Sequence, residues 1–136
     1  MELRKVRTVE EIQKIERAVA LKKLSYCTSA QVASDYYVYD RLYVVVEGEK
    51  ILATLSLVEE KEYGYTAVKR LCILNKKNCG KGIARFALRE VQKVVKGRIG
   101  GTPWSDNQKM CHLFESEGFK LQYVFNGCWC FYMKEV

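Results

Sequence analysis

The stretch KKNCGKGIARFAL, residues 76–88, combines two glycines and three lysines with the start of an apolar, helix-like pattern. Gly80 and Gly82 allow a sharp bend in which backbone N–H groups converge. A helix that begins directly after such a loop adds its unpaired N–H groups and the positive end of its dipole. The stretch therefore predicts an anion-binding loop at a helix start, with an ordinary turn before a helix as the alternative.

Two well-known phosphate-binding motifs do not fit this loop. A P-loop requires G-x-x-x-x-G-K-[ST], which the sequence lacks. A dinucleotide-binding fingerprint requires a third glycine where Arg85 stands, within a parallel βαβ unit. Taken alone, the glycine pair leaves anion binding and a structural turn equally open.

Hydrophobic periodicity predicts the elements before the loop. The expected elements are a strand within residues 1–8, a helix at about 9–23, a short helix and loop within 25–40, a hairpin turning at Glu47-Gly48-Glu49, and a strand within 65–74. Thr8 with Glu11 fits a capping box for the first helix. Its apolar face is expected to contain Ile12, Ile15 and Val19.

The elements after the loop are predicted in the same way. They are a helix from about Ile83 to Lys96 with Leu88, Val91 and Val95 buried, a short strand ending at Pro103, a helix that opens at Ser105 with Gln108 and stops at Gly118, and a hairpin turning at Asn126-Gly127. This order predicts a single α/β (α+β) domain, residues 1–136, with a mixed, mostly antiparallel sheet flanked by helices.

Composition limits the functional classes. The chain has 136 residues, 49% apolar residues, 29% charged residues and a net charge of +7. We find no signal-peptide pattern and no apolar run long enough to cross a bilayer, so we expect a cytoplasmic protein and no membrane partner. The charge would suit nucleic acid or a phosphate-bearing small molecule, but the basic residues are dispersed and no nucleic-acid-binding signature occurs. Nucleic acid is therefore disfavoured.

The six cysteines are Cys27, Cys72, Cys79, Cys111, Cys128 and Cys130, and the single histidine is His112. Their spacing does not match a zinc site, so no metal is expected. Because nothing else suggests secretion, we expect free thiols that behave as small buried apolar side chains.

A second motif favours the functional interpretation of the glycine loop over a structural turn. The segment NQKMCHLFESEGF, residues 107–119, follows the segment LCILNKKNCGKGIARFAL, residues 71–88. Together, and in this element order, the two segments resemble the GNAT acetyltransferase superfamily over nearly the whole chain. That family has a strand, a loop of pattern [Q/R]-x-x-G-x-[G/A] and a helix, followed later by a helix of pattern N-x-x-A-x-x-L-Y-x-x-x-G-F.

The resemblance implies an acetyl-CoA site. In the family, backbone N–H groups of the loop bind the pyrophosphate, and this role would belong to Cys79, Gly80, Lys81, Gly82, Ile83 and Ala84. The end of the preceding strand pairs with the pantetheine arm through its main chain, which would involve Cys72, Ile73 and Leu74. Asn107 matches the asparagine that contacts the cofactor arm, and Phe114 takes the position of a tyrosine that lines the same site.

The sequence departs from the family pattern in three places. Cys79 replaces the arginine or glutamine that usually starts the loop. Phe114 replaces the tyrosine that often protonates the departing thiolate, so a general acid is missing there. No aspartate or glutamate occurs between Glu62 and Arg85, which removes the strand carboxylate that some members use as a base. The nearest acids, at positions 59 and 60, are more simply a solvated surface pair.

The helix of the second motif contains two further candidates. His112 falls on the polar face and is expected to be exposed and not catalytic. Cys111 shares a face with Asn107 and Phe114, which would place its thiol near the acyl end, although a buried apolar role is favoured.

These observations favour one function over two alternatives. The favoured function is acetyl transfer from acetyl-CoA to an amine by direct attack in a ternary complex. The reaction would take place in a cleft where two strands splay, with a strand N–H stabilising the oxyanion. The second is a CoA-binding domain of this fold with little or no transferase activity. The third is nucleic-acid binding. We expect acceptor contacts within residues 25–40, and the apolar run CWCFYM, residues 128–133, would allow a homodimer.

Overall fold

The computed structural model describes residues 1–136, which form seven strands, four α-helices and one short 3-10 helix. Their bounds are β1 Glu2–Lys5, α1 Val9–Lys22, α2 Ser29–Tyr37, β2 Leu42–Glu47, β3 Lys50–Glu60, β4 Tyr65–Ile73, the 3-10 helix Lys76–Asn78, α3 Ile83–Val94, β5 Arg98–Gly101, α4 Gln108–Ser116, β6 Lys120–Phe125 and β7 Trp129–Glu135.

All seven strands belong to one sheet in the order β1-β2-β3-β4-β5-β7-β6. Strands β1 and β2, β2 and β3, β5 and β7, and β6 and β7 pair antiparallel. Strands β4 and β5 pair in parallel, with Thr66 opposite Ile99 and Ala67 opposite Gly100. The predicted α/β class with a mixed, mostly antiparallel sheet is therefore confirmed.

The chain divides into two compact units. The first contains Met1–Leu57 and Arg70–Ala87, and the second contains Val58–Lys69 and Leu88–Val136. Strands β3 and β4 and helix α3 contribute residues to both, because the boundary falls within each of them.

The core of the first unit is built by the apolar face of α1. Ile12, Ile15 and Val19 are buried at the predicted helical spacing and pack in one cluster with residues of β2 and with Cys27. The Thr8 side chain accepts a hydrogen bond from the N–H of Glu11, as its capping position predicted. Burial of this face, more than intrinsic propensity, stabilises the helix.

The core of the second unit lies between α4 and the strands β5 and β7. The Phe114 ring stacks on Tyr132 with centroids 5.6 Å apart and meets Phe119 edge-on at 5.0 Å. Ile99 of β5 is fully buried in this unit. The β6–β7 hairpin turns at Asn126-Gly127, as predicted, with both residues at positive φ.

Three boundaries differ from the sequence prediction. Helix α3 ends at Val94, before Lys96, and Val95 is only partly buried beyond it. Strand β5 ends at Gly101, ahead of Pro103.

Helix α4 begins at Gln108 with Asn107 as its N-cap, so the predicted opening at Ser105 is wrong. The N–H of Ser105 instead donates to the carbonyl of Cys128 at 2.7 Å, which ties Ser105 to the β6–β7 hairpin. Gly118, at a φ of 86°, follows the helix end where a C-terminal stop was expected.

Candidate active site

The loop before α3 is an open array of backbone donors in the first unit. Gly80 and Gly82 have φ values of 79° and 78°, a conformation that favours glycine, and Lys81 stands between them. No acceptor in the chain bonds the N–H groups of residues 80–84. The carbonyl of Gly82 accepts the first helical bond, from Phe86 at 3.0 Å, so these free N–H groups lie at the positive end of the helix dipole.

Lysine side chains lie beside this donor array. Residues 71–84 contain three lysines and no acid, whereas Arg70 is paired with Asp35. Beside the loop is a cavity of about 520 Å³ whose polar lining consists of Lys50, Lys77, Lys81, Asn75, Asn78 and one acid, Glu47. Free N–H groups, glycines that admit close approach and an excess of positive charge together form an arrangement that can bind phosphate.

The first residue of the predicted loop set behaves differently from the rest. Cys79 is exposed, so the expectation that the cysteines are buried is wrong for it. Its N–H donates to the carbonyl of Lys76 at 3.1 Å, which closes the 3-10 helix. Gly80, Lys81, Gly82, Ile83 and Ala84 therefore hold the free N–H groups, whereas that of Cys79 is already used.

The end of β4 lies in the first unit with the loop. The Cys72 side chain is buried in the core cluster with Cys27, and its thiol donates to the carbonyl of Ile73 at 3.7 Å. Interaction between the two neighbouring thiols raises the pKa of Cys27 and lowers the pKa of Cys72. Ile73 and Leu74 are partly buried, and the N–H of Leu74 donates to the carbonyl of Leu52 at 3.0 Å. The N–H of Leu74 is thus used within the sheet.

Sequence reasoning missed a charged cluster in the first unit. The carboxylate of Asp35, in α2, accepts from Arg41 Nε at 2.7 Å, from Arg70 Nε at 2.8 Å and from the hydroxyl of Ser56. Burial alone would raise the pKa of Asp35, but the hydrogen bonds from Ser56 and the two arginines outweigh it and lower that pKa. One signal was available, because Asp35 lies three residues after the buried Val32 on the apolar face of α2.

Arg70 also has an unusual backbone. Its φ is 55°, although it is not a glycine and lies inside β4. Such a conformation costs about 1–3 kcal/mol and persists where the surroundings hold it. Two nitrogens of the Arg70 guanidinium bond one oxygen of Asp35, and this anchors the strained residue.

In the second unit, Asn107 has a structural partner. Its side-chain oxygen accepts from the N–H of Met110 at 3.4 Å, which caps α4, and its own N–H donates to the carbonyl of Trp104. Its side-chain amide donors have no partner in the chain. A cofactor contact through the amide nitrogen is thus compatible with the capping role.

Phe114 is buried against Gly101 of β5 in the second unit. A Cβ added at Gly101 would overlap Cζ of the Phe114 ring and lie 3.0 and 3.1 Å from Cε1 and Cε2. The tip of the ring, where tyrosine would carry its hydroxyl, therefore points at the backbone of Gly101. This contact gives a packing reason for phenylalanine at this position.

The other candidates on α4 are arranged as follows. His112 is exposed, as expected. Cys111 is partly buried, and its thiol points to the carbonyl of Trp104 at 3.6 Å. The neighbouring Tyr132 hydroxyl donates to the Glu115 carboxylate at 2.6 Å. Burial, followed by that hydrogen bond, raises the pKa of Tyr132.

Two acids at the end of β3 are paired or exposed. Glu60 pairs with Lys69 at 3.1 Å, and Glu59 is exposed. Glu59 is thus the solvated surface charge that the sequence favoured over a catalytic role, whereas Glu60 is half-buried and held by Lys69.

Solved acetyltransferase structures share this fold. An acetyltransferase from Thermus thermophilus is 19% identical over 99% of this chain and 96% of its own, with a TM-score of 0.77. A protein from Desulfovibrio desulfuricans assigned to the GNAT family is 12% identical over 98% of both chains, with a TM-score of 0.77. A chimera of the spermidine N-acetyltransferase SpeG from Vibrio cholerae and hSSAT is 17% identical over 98% and 94%, with a TM-score of 0.75. The chain therefore has the fold of the GNAT acetyltransferases, as the two sequence motifs predicted.

Comparison of the sequence with known families and proteins finds no match. No protein-family model matches the chain, and no curated protein matches it. None of its helices is long and apolar enough to cross a membrane.

Proposed function

We propose that this protein is a GNAT N-acetyltransferase that moves an acetyl group from acetyl-CoA to an amine. The observation that carries the proposal is the start of α3, where the N–H groups of residues 80–84 have no acceptor in the chain. Lys77 and Lys81 stand beside them, and the cavity next to the loop is lined by three lysines and a single acid, Glu47. The fold shared with solved acetyltransferases supports the same assignment.

In this proposal the loop holds the pyrophosphate of acetyl-CoA. Glycine at positions 80 and 82 lets phosphate oxygens reach the backbone, and the helix dipole and lysines favour the negative charge. Cys72 and Ile73 at the end of β4 are the proposed main-chain contacts of the pantetheine arm. Asn107 remains a proposed cofactor contact through its side-chain amide.

The reaction itself is a direct transfer. The lone pair of a neutral amine attacks the thioester carbonyl carbon, a C–N bond forms, and the C–S bond breaks as the CoA thiolate leaves. The amine nitrogen gives up a proton and the thiolate takes one. Since Phe114 has no exchangeable proton, we assign protonation of the thiolate to water. Positioning of the two reactants would then provide much of the rate.

The cofactor is tested by a thermal shift with and without acetyl-CoA, followed by calorimetric titration. A ligand at about a hundred times its Kd adds roughly 2.7 kcal/mol to the free energy of unfolding. A clear shift, with saturable heat, supports the proposal. Absence of both a shift and binding heat would refute acetyl-CoA as the ligand.

Transfer is tested separately, by release of the CoA thiol with a panel of amines. The packing of Phe114 against Gly101 favours a second candidate, a CoA-binding domain without transferase activity. Saturable acetyl-CoA binding with no thiol release above the hydrolysis background for any amine would select that second candidate.

Size-exclusion chromatography of the same preparation checks the proposed homodimer.

A further inference from the structure

The cluster around Asp35 has more positive than negative charge. Two guanidinium groups, those of Arg41 and Arg70, converge on one carboxylate. The lowered pKa of Asp35 keeps that carboxylate ionised, so one positive charge remains unneutralised. Asp40, the next acid along the chain, is largely exposed and pairs with Lys5 at 3.3 Å.

Arg41 has free donors in a fixed position. Its Nε bonds Asp35 at 2.7 Å, and its Cζ lies 4.1 Å from the centroid of the Tyr39 ring. The two terminal nitrogens of its guanidinium have no hydrogen-bond partner in the chain, and its side chain is 27% exposed. Because the salt bridge and the ring already hold the group, a ligand that binds those nitrogens costs little additional ordering.

The position of the cluster connects it to the proposed site. Arg70 lies two residues before Cys72 on β4, in the unit that contains the glycine loop. Tyr37 and Tyr39 are more than half exposed at the end of α2 and beyond it, so the surface next to Arg41 is open and aromatic. This surface includes part of the segment in which the sequence predicted acceptor contacts.

We propose that Arg41 binds a carboxylate of the amine acceptor, so that the substrate is an acidic amine rather than a neutral or polycationic one. This inference rests on the proposed function and adds the substrate class to it. The two terminal N–H groups of a guanidinium match the two oxygens of a carboxylate, and charge-assisted hydrogen bonds of this kind are among the stronger ones in proteins. The excess charge of the cluster also disfavours polyamines, since like charges repel each other.

The experiment compares pairs of acceptors in which one member carries an anionic group and the other is neutral. Glutamic acid and glutamine, both as α-amides, form one pair, and phosphoserine and serine α-amides form a second pair. We expect kcat/KM for the glutamic acid derivative to exceed that for the glutamine derivative by about tenfold or more. If phosphoserine is preferred over both, the anion is a phosphate and the carboxylate assignment is wrong.

The key variant is Arg41→Gln, with Arg17→Gln on the exposed face of α1 as the charge-matched control. The ratio of kcat/KM between the acidic and neutral acceptors should fall to near one in Arg41→Gln and stay high in Arg17→Gln. Arg41→Lys keeps the positive charge but loses the planar guanidinium with its two terminal N–H donors. It should therefore retain part of the preference in kcat/KM for the acidic acceptor. Acetyl-CoA titration of each variant reports whether it is folded.

A binding measurement separates this inference from the proposed function. N-acetylated glutamic acid and glutamine α-amides are compared by saturation-transfer NMR in the unmodified protein and in Arg41→Gln. If no amine is acetylated but the acidic compound binds in an Arg41-dependent way, the activity is wrong and the anion site stands. Equal binding of the two compounds to the unmodified protein would overturn the role of Arg41. A ratio of kcat/KM between acidic and neutral acceptors near one in the unmodified protein would do the same.

Discussion

Helix α3 starts differently from the other three α-helices. Helices α1, α2 and α4 are capped by their own side chains, those of Thr8, Thr28 and Asn107. Helix α3 follows Gly82, which has no side chain and so provides no acceptor for the N–H groups of its first turn. A side-chain cap contributes about 1 kcal/mol. Helix α3 thus lacks this stabilisation at a start beside which Lys77 and Lys81 lie, which is consistent with a ligand acting as the cap.

The largest expected effect comes from giving α3 a negative side chain at its start. Gly82→Glu, or Gly80→Asp, places a carboxylate where the phosphate would lie. Like charges in contact cost several kcal/mol, so acetyl-CoA binding should weaken at least about a hundredfold. The Kd from calorimetric titration is the measurement.

Gly97→Glu is the matched control for this substitution. Gly97 also has a positive φ, and no atom lies within 4 Å of a Cβ added there or at Gly82. Both variants should therefore lose similar stability, about 1 kcal/mol, from the strained backbone. Normal acetyl-CoA binding by folded Gly82→Glu would refute the pyrophosphate role of the loop.

The next effect concerns α4, whose buried face we assign to packing. Phe114→Tyr restores the tyrosine of the family pattern, but its hydroxyl would meet the backbone of Gly101. Overpacking of this kind costs typically about 1–3 kcal/mol. We expect a lower Tm and no gain in kcat. Gly101→Ala should lower the Tm in the same way, and a faster, equally stable Phe114→Tyr enzyme would contradict the packing argument.

A smaller effect, dependent on pH, is expected at the capped start of α1. Hydrogen bonds from Arg4, opposed by burial and aided by the N–H of Arg7, lower the pKa of Glu11 to about 2. This stabilisation is complete above the ordinary pKa of about 4.3 and is lost as the pH falls through that value toward 2. Urea unfolding at pH 7 and pH 3 should show a loss larger by roughly 1–2 kcal/mol in the wild type than in Glu11→Gln. Equal losses would show that the ion pair contributes nothing.

The smallest effect separates the two roles of Asn107. Asn107→Ala removes the cap and should cost about 1 kcal/mol, whereas Asn107→Asp keeps the capping oxygen and should cost less. Both variants remove the amide donors. If the amide contacts the cofactor, KM for acetyl-CoA rises in both variants. If Asn107 only caps α4, the Asp variant keeps the wild-type KM.

Much of the fold could be predicted from local patterns. Ile12, Ile15 and Val19 recur at helical spacing and are buried together, and Asn126-Gly127 adopts the positive φ values that its hairpin needs. Errors arose where a tertiary contact competed with a local signal. Ser105 fits an N-cap by sequence, but its N–H is held by Cys128, and Asn107 caps the helix instead.

The candidate site was also predictable only in part. The loop was predictable because glycine and lysine spacing reports backbone geometry and charge directly. The cluster of Asp35, Arg41 and Arg70 was not, because its members come from α2, the residue before β2, and β4, and only the folded chain brings them together. No pattern around Arg70 signals its left-handed backbone, since that conformation depends on the distant Asp35.

The excess of positive charge from Lys50, Lys77 and Lys81 beside the loop also has a kinetic consequence. Charge of one sign attracts a polyanion before contact, over a Debye length of about 8 Å at physiological salt. Capture of acetyl-CoA should then slow as ionic strength rises, while escape, governed by short N–H contacts, changes little. Other phosphate-rich metabolites would be attracted in the same way. The fraction of loops occupied by acetyl-CoA in a cell would therefore depend on the concentrations of the nucleotides that compete for the loop.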